Sequence, residues 1–110
     1  MSKRSIGWWQ EEFGKACAEK FPKNSKWSEQ DRLLSILRQL ADVSRGVQWE
    51  QDLYEMNEDE ADKYKSTDHR IAALIADILI LCEERETELE KELFEVLKWY
   101  KDKKAKKSTE

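Results

Sequence analysis

Carboxylates dominate the side chains of this sequence that are able to do chemistry. The chain has 24 aspartate and glutamate residues, but only one histidine, His69, and two cysteines. Cys17 and Cys82 lie far apart and form no C-x-x-C motif, which is typical of reduced thiols in a cytosolic protein. No Ser/His/Asp or Cys/His arrangement can be argued from this inventory. Any chemistry must therefore be argued on the carboxylates.

Asp77 is the most unusual carboxylate because it interrupts the otherwise apolar run Ile71–Cys82. A buried carboxylate without a partner is costly, and the chain offers arginine, tryptophan and tyrosine side chains to pair with it. We therefore predict that Asp77 is buried and hydrogen-bonded, and that it holds the central helix in register. The alternative is that Asp77 contacts a ligand.

The run Ile71–Cys82 is the element around which the fold is expected to form. A helix that is apolar all round has to be covered on all sides, and this run is too short to span a bilayer, which takes about 20 residues. Its alanines and flanking helix formers favour a helix from about Asp68 to about Arg85. Thr67 or Ser66 can cap its start.

Three further helices are predicted from apolar residues that recur at helical spacing. The first runs from about Ile6 to Lys20 and ends before Pro22. The second follows a capping box of Ser28 and Asp31 and ends near Ser44, unless the pattern resumes through Val47 and Trp49. The last follows a capping box of Thr87 and Glu90 and runs from about Glu88 to Lys101. The residues that share one face are Trp9, Phe13, Ala16 and Cys17 on the first helix and Leu89, Leu93, Val96, Leu97 and Tyr100 on the last. The second helix is expected to bury Leu33, Leu34, Leu37, Leu40 and Ala41.

Composition bounds the class of protein. Residues 1–101 are expected to form a single helical domain, with a polar extension or mobile connection over 50–67 and a basic, disordered tail over 102–110. The net charge of −4 argues against a nucleic-acid binder, and the N-terminus lacks the apolar run of a signal peptide, so a cytoplasmic protein without membrane contact is expected. With 39% apolar residues, the central run needs cover from a second copy, which predicts a homodimer.

Four stretches, taken in order, resemble the MazG-like all-α nucleoside triphosphate pyrophosphohydrolases. They read WWQEEFGKACAEKFPKNSKW, RLLSILRQLADVSRGVQ, DHRIAALIADILILC and ELEKELFEVLKWYKDKK. The resemblance implies an all-α, four-helix MazG-like bundle that is dimeric or tetrameric. It also implies Mg²⁺ held by an E-E-x-x-E motif on the second helix and an E-x-x-D motif on the third, and hydrolysis of nucleoside triphosphates to monophosphate and pyrophosphate.

The acids that this resemblance requires are missing from the sequence. The second-helix positions fall on Ser35, Ile36 and Gln39, and the third-helix positions fall on Arg70 and Ala73. Hard Mg²⁺ ions need oxygen ligands, and several carboxylates must converge to hold them against a triphosphate.

Two other acids lie near these positions. Asp42 follows Gln39 by three residues, and a shift of four residues brings the family's aspartate onto Asp77, with Leu74 at the glutamate position. If the two helices are antiparallel, Asp42 and Asp77 lie apart. No two-metal site can then be assembled.

The leading hypothesis is a degenerate MazG-like protein, a nucleotide- or ligand-binding or protein-interaction module with no catalytic or metal-ligating residue and no cofactor. Its ligand pocket is expected to use Gln39, Asp42, Trp49, His69, Arg70 and Asp77. Trp49 or Trp27 is the expected surface for base stacking. The alternative is an atypical Mg²⁺-dependent pyrophosphohydrolase that uses Asp42, Asp77 or acids within 50–62. A third hypothesis is a helical dimer that shares the family's pattern by convergence.

Overall fold

The computed structural model describes residues 4–51 and 66–102, except the side chains of residues 24 and 25. These ranges form four α-helices and no strand: α1 is Ile6–Lys20, α2 is Glu29–Glu50, α3 is Thr67–Glu84 and α4 is Leu89–Lys101. A short 3₁₀ helix, Pro22–Lys26, joins α1 to α2. The prediction of an all-α chain with four helices is confirmed. The predictions for residues 52–65 and for the tail 103–110 fall outside the described ranges.

Local signals fix where most helices begin. Ser28 and Asp31 form the predicted capping box: Ser28 Oγ accepts from the Asp31 amide at 3.1 Å, and Asp31 Oδ2 accepts from the Ser28 amide at 2.9 Å. Ser66 caps α3 by accepting from the His69 amide at 3.1 Å. The predicted end of α2 near Ser44 is wrong, and the alternative is confirmed: the helix continues through Val47 and Trp49 to Glu50, with Gly46 buried inside it.

The predicted capping box of Thr87 and Glu90 is also wrong. The Thr87 amide instead donates to the Cys82 carbonyl at 2.8 Å, and the Glu86 amide donates to the Glu83 carbonyl at 3.1 Å. These two bonds are a Schellman motif that ends α3, with Glu86 in the left-handed region at a φ of 59°. The Glu90 carboxylate accepts from the Ile6 amide at 2.9 Å, which ties the start of α4 to the start of α1.

The helices α2 and α3 form an antiparallel pair. Glu29 at the start of α2 is paired with Arg85 just beyond the end of α3. At the other end, Glu50 accepts from the Thr67 hydroxyl at 2.5 Å. Since contacts link the start of each helix to the end of the other, the two helices run in opposite directions.

Helix α1 packs on α3 near Glu83. Gln10 donates to the Glu83 carboxylate at 3.1 Å and to the Thr87 carbonyl at 2.7 Å. A Cβ atom on Gly14 would lie 2.7 Å from Glu83 Cγ, so the absence of a side chain at Gly14 permits this close approach.

The burial of apolar side chains is the feature of the fold that differs most from the predictions. Within the described ranges, Leu79 and Cys82 are the buried apolar side chains, while Ile71 and Ile75 are 43% and 48% exposed. The described residues of one chain therefore leave part of the central helix exposed, and its cover by a second copy stays a prediction. The predicted burial of the α2 face is wrong for a single chain, because Leu33, Leu34, Leu37 and Leu40 are exposed. The apolar face of α4 is exposed as well, at Leu93, Val96, Leu97 and Tyr100.

The polar face of α2 contacts α3 for a physical reason. Asp77 and Arg70 on α3 need charged partners, and these are Arg32 and Asp42, which lie on the α2 face away from its leucines. The leucine face is thereby turned outward. No helix in the described part of the chain is long and apolar enough to cross a membrane.

Candidate functional site

Arg32 is buried and lies at the centre of a network of charges. Its side chain is 3% exposed, and Nη1 donates to Asp77 Oδ1 at 3.1 Å. Nε and Nη2 donate to the two oxygens of Glu84 at 3.2 and 3.1 Å, a bidentate arrangement that fits the planar guanidinium. The second oxygen of Asp77 accepts from the Ser35 hydroxyl at 2.6 Å. The prediction that Asp77 is buried and hydrogen-bonded is confirmed, with Arg32 as its partner.

The surroundings of Arg32 keep it charged. Burial lowers the pKa of the guanidinium, but hydrogen bonds to Glu84 and Asp77 and the negative charge of Glu84 outweigh it, so its pKa lies above the ordinary value. The Trp27 ring lies 4.8 Å from the guanidinium carbon, a cation–π distance. Nη2 also lies 3.8 Å from Cys17 Sγ. Arg32 thus joins α1, α2 and α3 in one cluster.

A cleft of about 810 Å³ opens beside this network, between α1, α2, α3 and the two residues that flank the 3₁₀ helix, Phe21 and Trp27. Phe13, Phe21 and Trp27 supply aromatic surface to the cleft. The lining also includes two exposed cationic side chains, Lys20 and Arg38. Aromatic surface next to positive charge suits a ligand that has a flat ring and an anionic group.

Polar side chains that line the same cleft are Ser35, Gln39 and Asp77. The Gln39 Oε1 atom is buried and accepts no hydrogen bond from any described residue. A buried acceptor without a donor is unfavourable by about 1–3 kcal/mol. An N–H group of a ligand or an ordered water would relieve that cost.

The structure brings together only part of the predicted ligand pocket. Gln39 and Asp77 line the cleft. Asp42 lies seven residues beyond Ser35, which is roughly 10 Å along the helix, and pairs with Arg70 at 3.7 Å. The expected separation of Asp42 from Asp77 in an antiparallel pair is therefore confirmed.

The two remaining predicted pocket residues lie at the other end of the helix pair. Trp49 is in the last turn of α2, and His69 is in the first turn of α3, and both are exposed. The aromatic side chain that reaches the cleft is Trp27, which is the second of the two tryptophans weighed for base stacking.

Sequence reasoning missed Arg32, although it expected an arginine among the partners of Asp77. The periodic pattern places Arg32 on the polar side of α2 but cannot select it from the other arginines. Lys20, Arg38 and the phenylalanines were missed because the cleft walls come from separate helices. The signal for Arg32 is the alignment of the two helices. When α2 is aligned antiparallel to α3 with Ser35 opposite Asp77, Arg32 lies one turn from Ser35 and within reach of Asp77.

The carboxylates nearest the cleft are compensated by arginine. Asp77 is held by Arg32, and Asp42 is held by Arg70. Among residues 4–51 and 66–102, no three histidine, cysteine, aspartate or glutamate side chains converge on a point where they would hold a metal ion. Comparisons of this chain with protein-family models, curated proteins and solved structures found no match.

Proposed function

We propose that this chain is a non-catalytic, MazG-like binding module that takes a nucleotide-like ligand in the cleft without a metal ion. The observation that carries the proposal concerns the positions at which the MazG-like resemblance places acids. Three of them, Ser35, Gln39 and Ala73, line the cleft beside Asp77. The cleft thus lies where the resemblance expects a catalytic site, but a hydroxyl, an amide and a methyl group replace the carboxylates.

The binding mode follows from the cleft lining. A purine or pyrimidine ring stacks on aromatic side chains such as Trp27, an interaction that accepts any flat base. Phosphate oxygens bind Lys20 as a point charge and Arg38 through its planar guanidinium. The buried Gln39 Oε1 accepts from an N–H group of the base.

In this proposal, cationic side chains bind the phosphate groups directly and no metal ion is needed. Mg²⁺ would need carboxylate oxygens free to coordinate it. Both oxygens of Asp77 already accept hydrogen bonds, one from Arg32 and one from Ser35. Arg32 also neutralises the charge that would attract the ion.

A homodimer is part of the same proposal. The exposed apolar side chains of α2, α3 and α4 support it, because few apolar side chains in the described ranges are buried and a second copy that covers the exposed ones adds stability. Two free thiols, Cys17 and Cys82, support a location in the reducing cytoplasm.

Tryptophan fluorescence tests binding. We expect saturable quenching when ATP, GTP, CTP or UTP is added in EDTA. Trp27→Phe should remove most of this signal, and Lys20→Glu should weaken the affinity about tenfold or more, the size of one lost charge-assisted contact. Lys98→Glu on the remote helix α4 is the matched control and should bind as the parent does. No saturable binding of any of the four nucleotides, with or without Mg²⁺, would refute the proposal.

Pyrophosphate release separates this proposal from the enzymatic alternative. We expect no Mg²⁺- or Mn²⁺-dependent release from any of these nucleotides, because the metal positions lack acids. A metal-dependent activity that is lost in Asp42→Asn or Asp77→Asn, with melting curves showing that the variants fold, would establish the pyrophosphohydrolase instead.

A further inference from the structure

The Trp27 ring is held in the cleft by a buried cation. Trp27 lies in the link between the 3₁₀ helix and α2, so no helical backbone fixes the direction of its side chain. The guanidinium carbon of Arg32 lies 4.8 Å from the ring centroid, which places the cation over one face of the indole. The ring is half-buried and lines the cleft, while the Arg32 side chain is 3% exposed. The position of the ring therefore depends on the position of Arg32.

Glu84 holds that guanidinium in place. Its two carboxylate oxygens accept from Arg32 Nε and Nη2 at 3.2 and 3.1 Å, and Asp77 accepts from Nη1 at 3.1 Å. Hydrogen bonds on two edges of a planar group prevent it from turning in its own plane. Without Glu84, the bond to Asp77 and a 3.8 Å contact from Nη2 to Cys17 Sγ are left, and the guanidinium can rotate about Nη1.

We infer that Glu84 is a positioning residue of the cleft, because through Arg32 it holds the Trp27 ring in the orientation that stacks on the base. The inference rests on the nucleotide binding proposed above and adds a residue that does not touch the ligand. Glu84 is the last residue of α3, its side chain is 41% exposed, and it is not part of the cleft lining.

The direction of the effect separates positioning from charge repulsion. The Glu84 carboxylate repels an anionic nucleotide, so the loss of its charge alone would strengthen binding. The loss of a fixed Trp27 ring would weaken binding, because the ring must then be ordered when the ligand binds. The cost of ordering one side chain corresponds to a rise in Kd of about three- to tenfold. The two explanations thus predict opposite changes in affinity.

Isothermal titration calorimetry with ATP, GTP, CTP and UTP in EDTA tests the inference. Glu84→Ala should raise the Kd of each nucleotide that the parent binds by about three- to tenfold. The matched control is Glu29→Ala, which removes the carboxylate paired with Arg85 and changes the net charge equally. It should bind at least as tightly as the parent. Melting curves verify folding, and the milder Glu84→Gln, which keeps one acceptor oxygen, should change the Kd in the same direction.

A double-mutant cycle tests whether Glu84 acts through the ring. Trp27→Leu removes the aromatic surface and should itself weaken binding. In that background there is no ring to position, so Glu84→Ala should no longer raise the Kd. Additive losses in the double variant would overturn the inference, because Glu84 would then act on binding without Trp27.

Fluorine NMR observes the ring without a ligand. In protein labelled with fluorotryptophan, the Trp27 resonance is identified by its loss in Trp27→Phe. In Glu84→Ala this resonance should move towards its position in the urea-unfolded chain, whereas in Glu29→Ala it should stay at the parental position. An unmoved Trp27 resonance in Glu84→Ala would show that Glu84 does not orient the ring.

The outcomes separate the two proposals. If the parent binds a nucleotide and Glu84→Ala binds it equally well or more tightly, the positioning role is overturned while the proposed function stands. If the parent binds none of the four nucleotides, the proposed function is refuted. The fluorine spectra of the ligand-free protein then decide whether Glu84 orients Trp27.

Discussion

At the scale of single residues, the pair formed by Arg32 and Asp77 organises the molecule. Two opposite charges, each less than one-tenth exposed, are stabilised by each other and by Ser35 and Glu84. Removing one member of such a pair leaves the other charge buried without compensation, which costs more than the intact pair contributes.

A double-mutant cycle measures this coupling. Arg32→Met and Asp77→Leu should each lower the free energy of unfolding by about 3–5 kcal/mol, because the remaining charge loses its partner. The double variant should be more stable than either single variant, since two apolar side chains replace the pair. Urea denaturation gives the free energy of unfolding of the two single variants and the double variant. Additive losses in the double variant would show that the two charges are not coupled.

Cys82 makes stability depend on pH. Burial raises the pKa of its thiol, and nearby Arg85 reduces that effect only in part. Because the unfolded thiol ionises first, near pH 8.5, the free energy of unfolding should fall as pH rises from there through the higher folded pKa. The Cys82→Ala variant should not show this loss of stability. Urea denaturation of the parent and the variant between pH 7 and 10 gives the free energy of unfolding of each against pH. If the free energy of unfolding fell equally with pH in the parent and in Cys82→Ala, Cys82 would not be the source of the pH dependence.

At the scale of elements, the sequence predicts helices well where the signal is local. The caps at Ser28 and Ser66 and the stop before Pro22 depend on neighbouring residues only, and the structure agrees with them. The predicted end of α2 near Ser44 fails because the helix continues through Gly46, whose place in the buried face overrides its low helix propensity. The predicted cap of α4 at Thr87 fails because the Thr87 amide bonds to the C-terminus of α3.

The turn that ends α3 offers a simple stabilising change. Glu86 occupies the left-handed region that glycine adopts without strain and that costs other residues about 1 kcal/mol. Glu86→Gly should therefore raise the free energy of unfolding by about 0.5–1 kcal/mol in thermal or urea unfolding. Glu88→Gly is the control, because Glu88 has an ordinary φ of −84° and glycine there should destabilise the chain. A loss in both variants would argue that the Glu86 side chain makes a contact worth more than the strain.

At the scale of the whole molecule, the sequence predicts faces but not what covers them. Periodicity correctly groups the leucines of α2 on one side, yet only the alignment with α3 shows that this side points outward. The cleft was beyond sequence reasoning for the same reason, since Phe13, Trp27 and Gln39 come from different elements. Asp77 was predictable because one buried charge demands a partner wherever the helices lie.

Assembly should appear in the thermal stability. If a second copy covers the exposed apolar side chains of α2 and α4, the melting temperature rises with protein concentration, because dimer formation stabilises the folded state by mass action. Leu37→Asp should abolish this dependence, and Lys98→Glu should preserve it. Scanning calorimetry across a hundredfold range of concentration gives the comparison. A parent melting temperature that is independent of concentration would contradict the dimer.

The charge pairs between α2 and α3 also determine how these two antiparallel helices align along each other. Much of the α3 surface is a near-uniform succession of alanine, isoleucine and leucine, on which α2 would otherwise slide by a turn at little cost. Sliding would separate Arg32 from Asp77, Asp42 from Arg70 and Glu29 from Arg85 at the same time. Since a buried and unpaired Arg32 costs several kcal/mol, every slipped alignment is disfavoured. These charge pairs therefore specify a single register of α2 against α3, although they add little net stability.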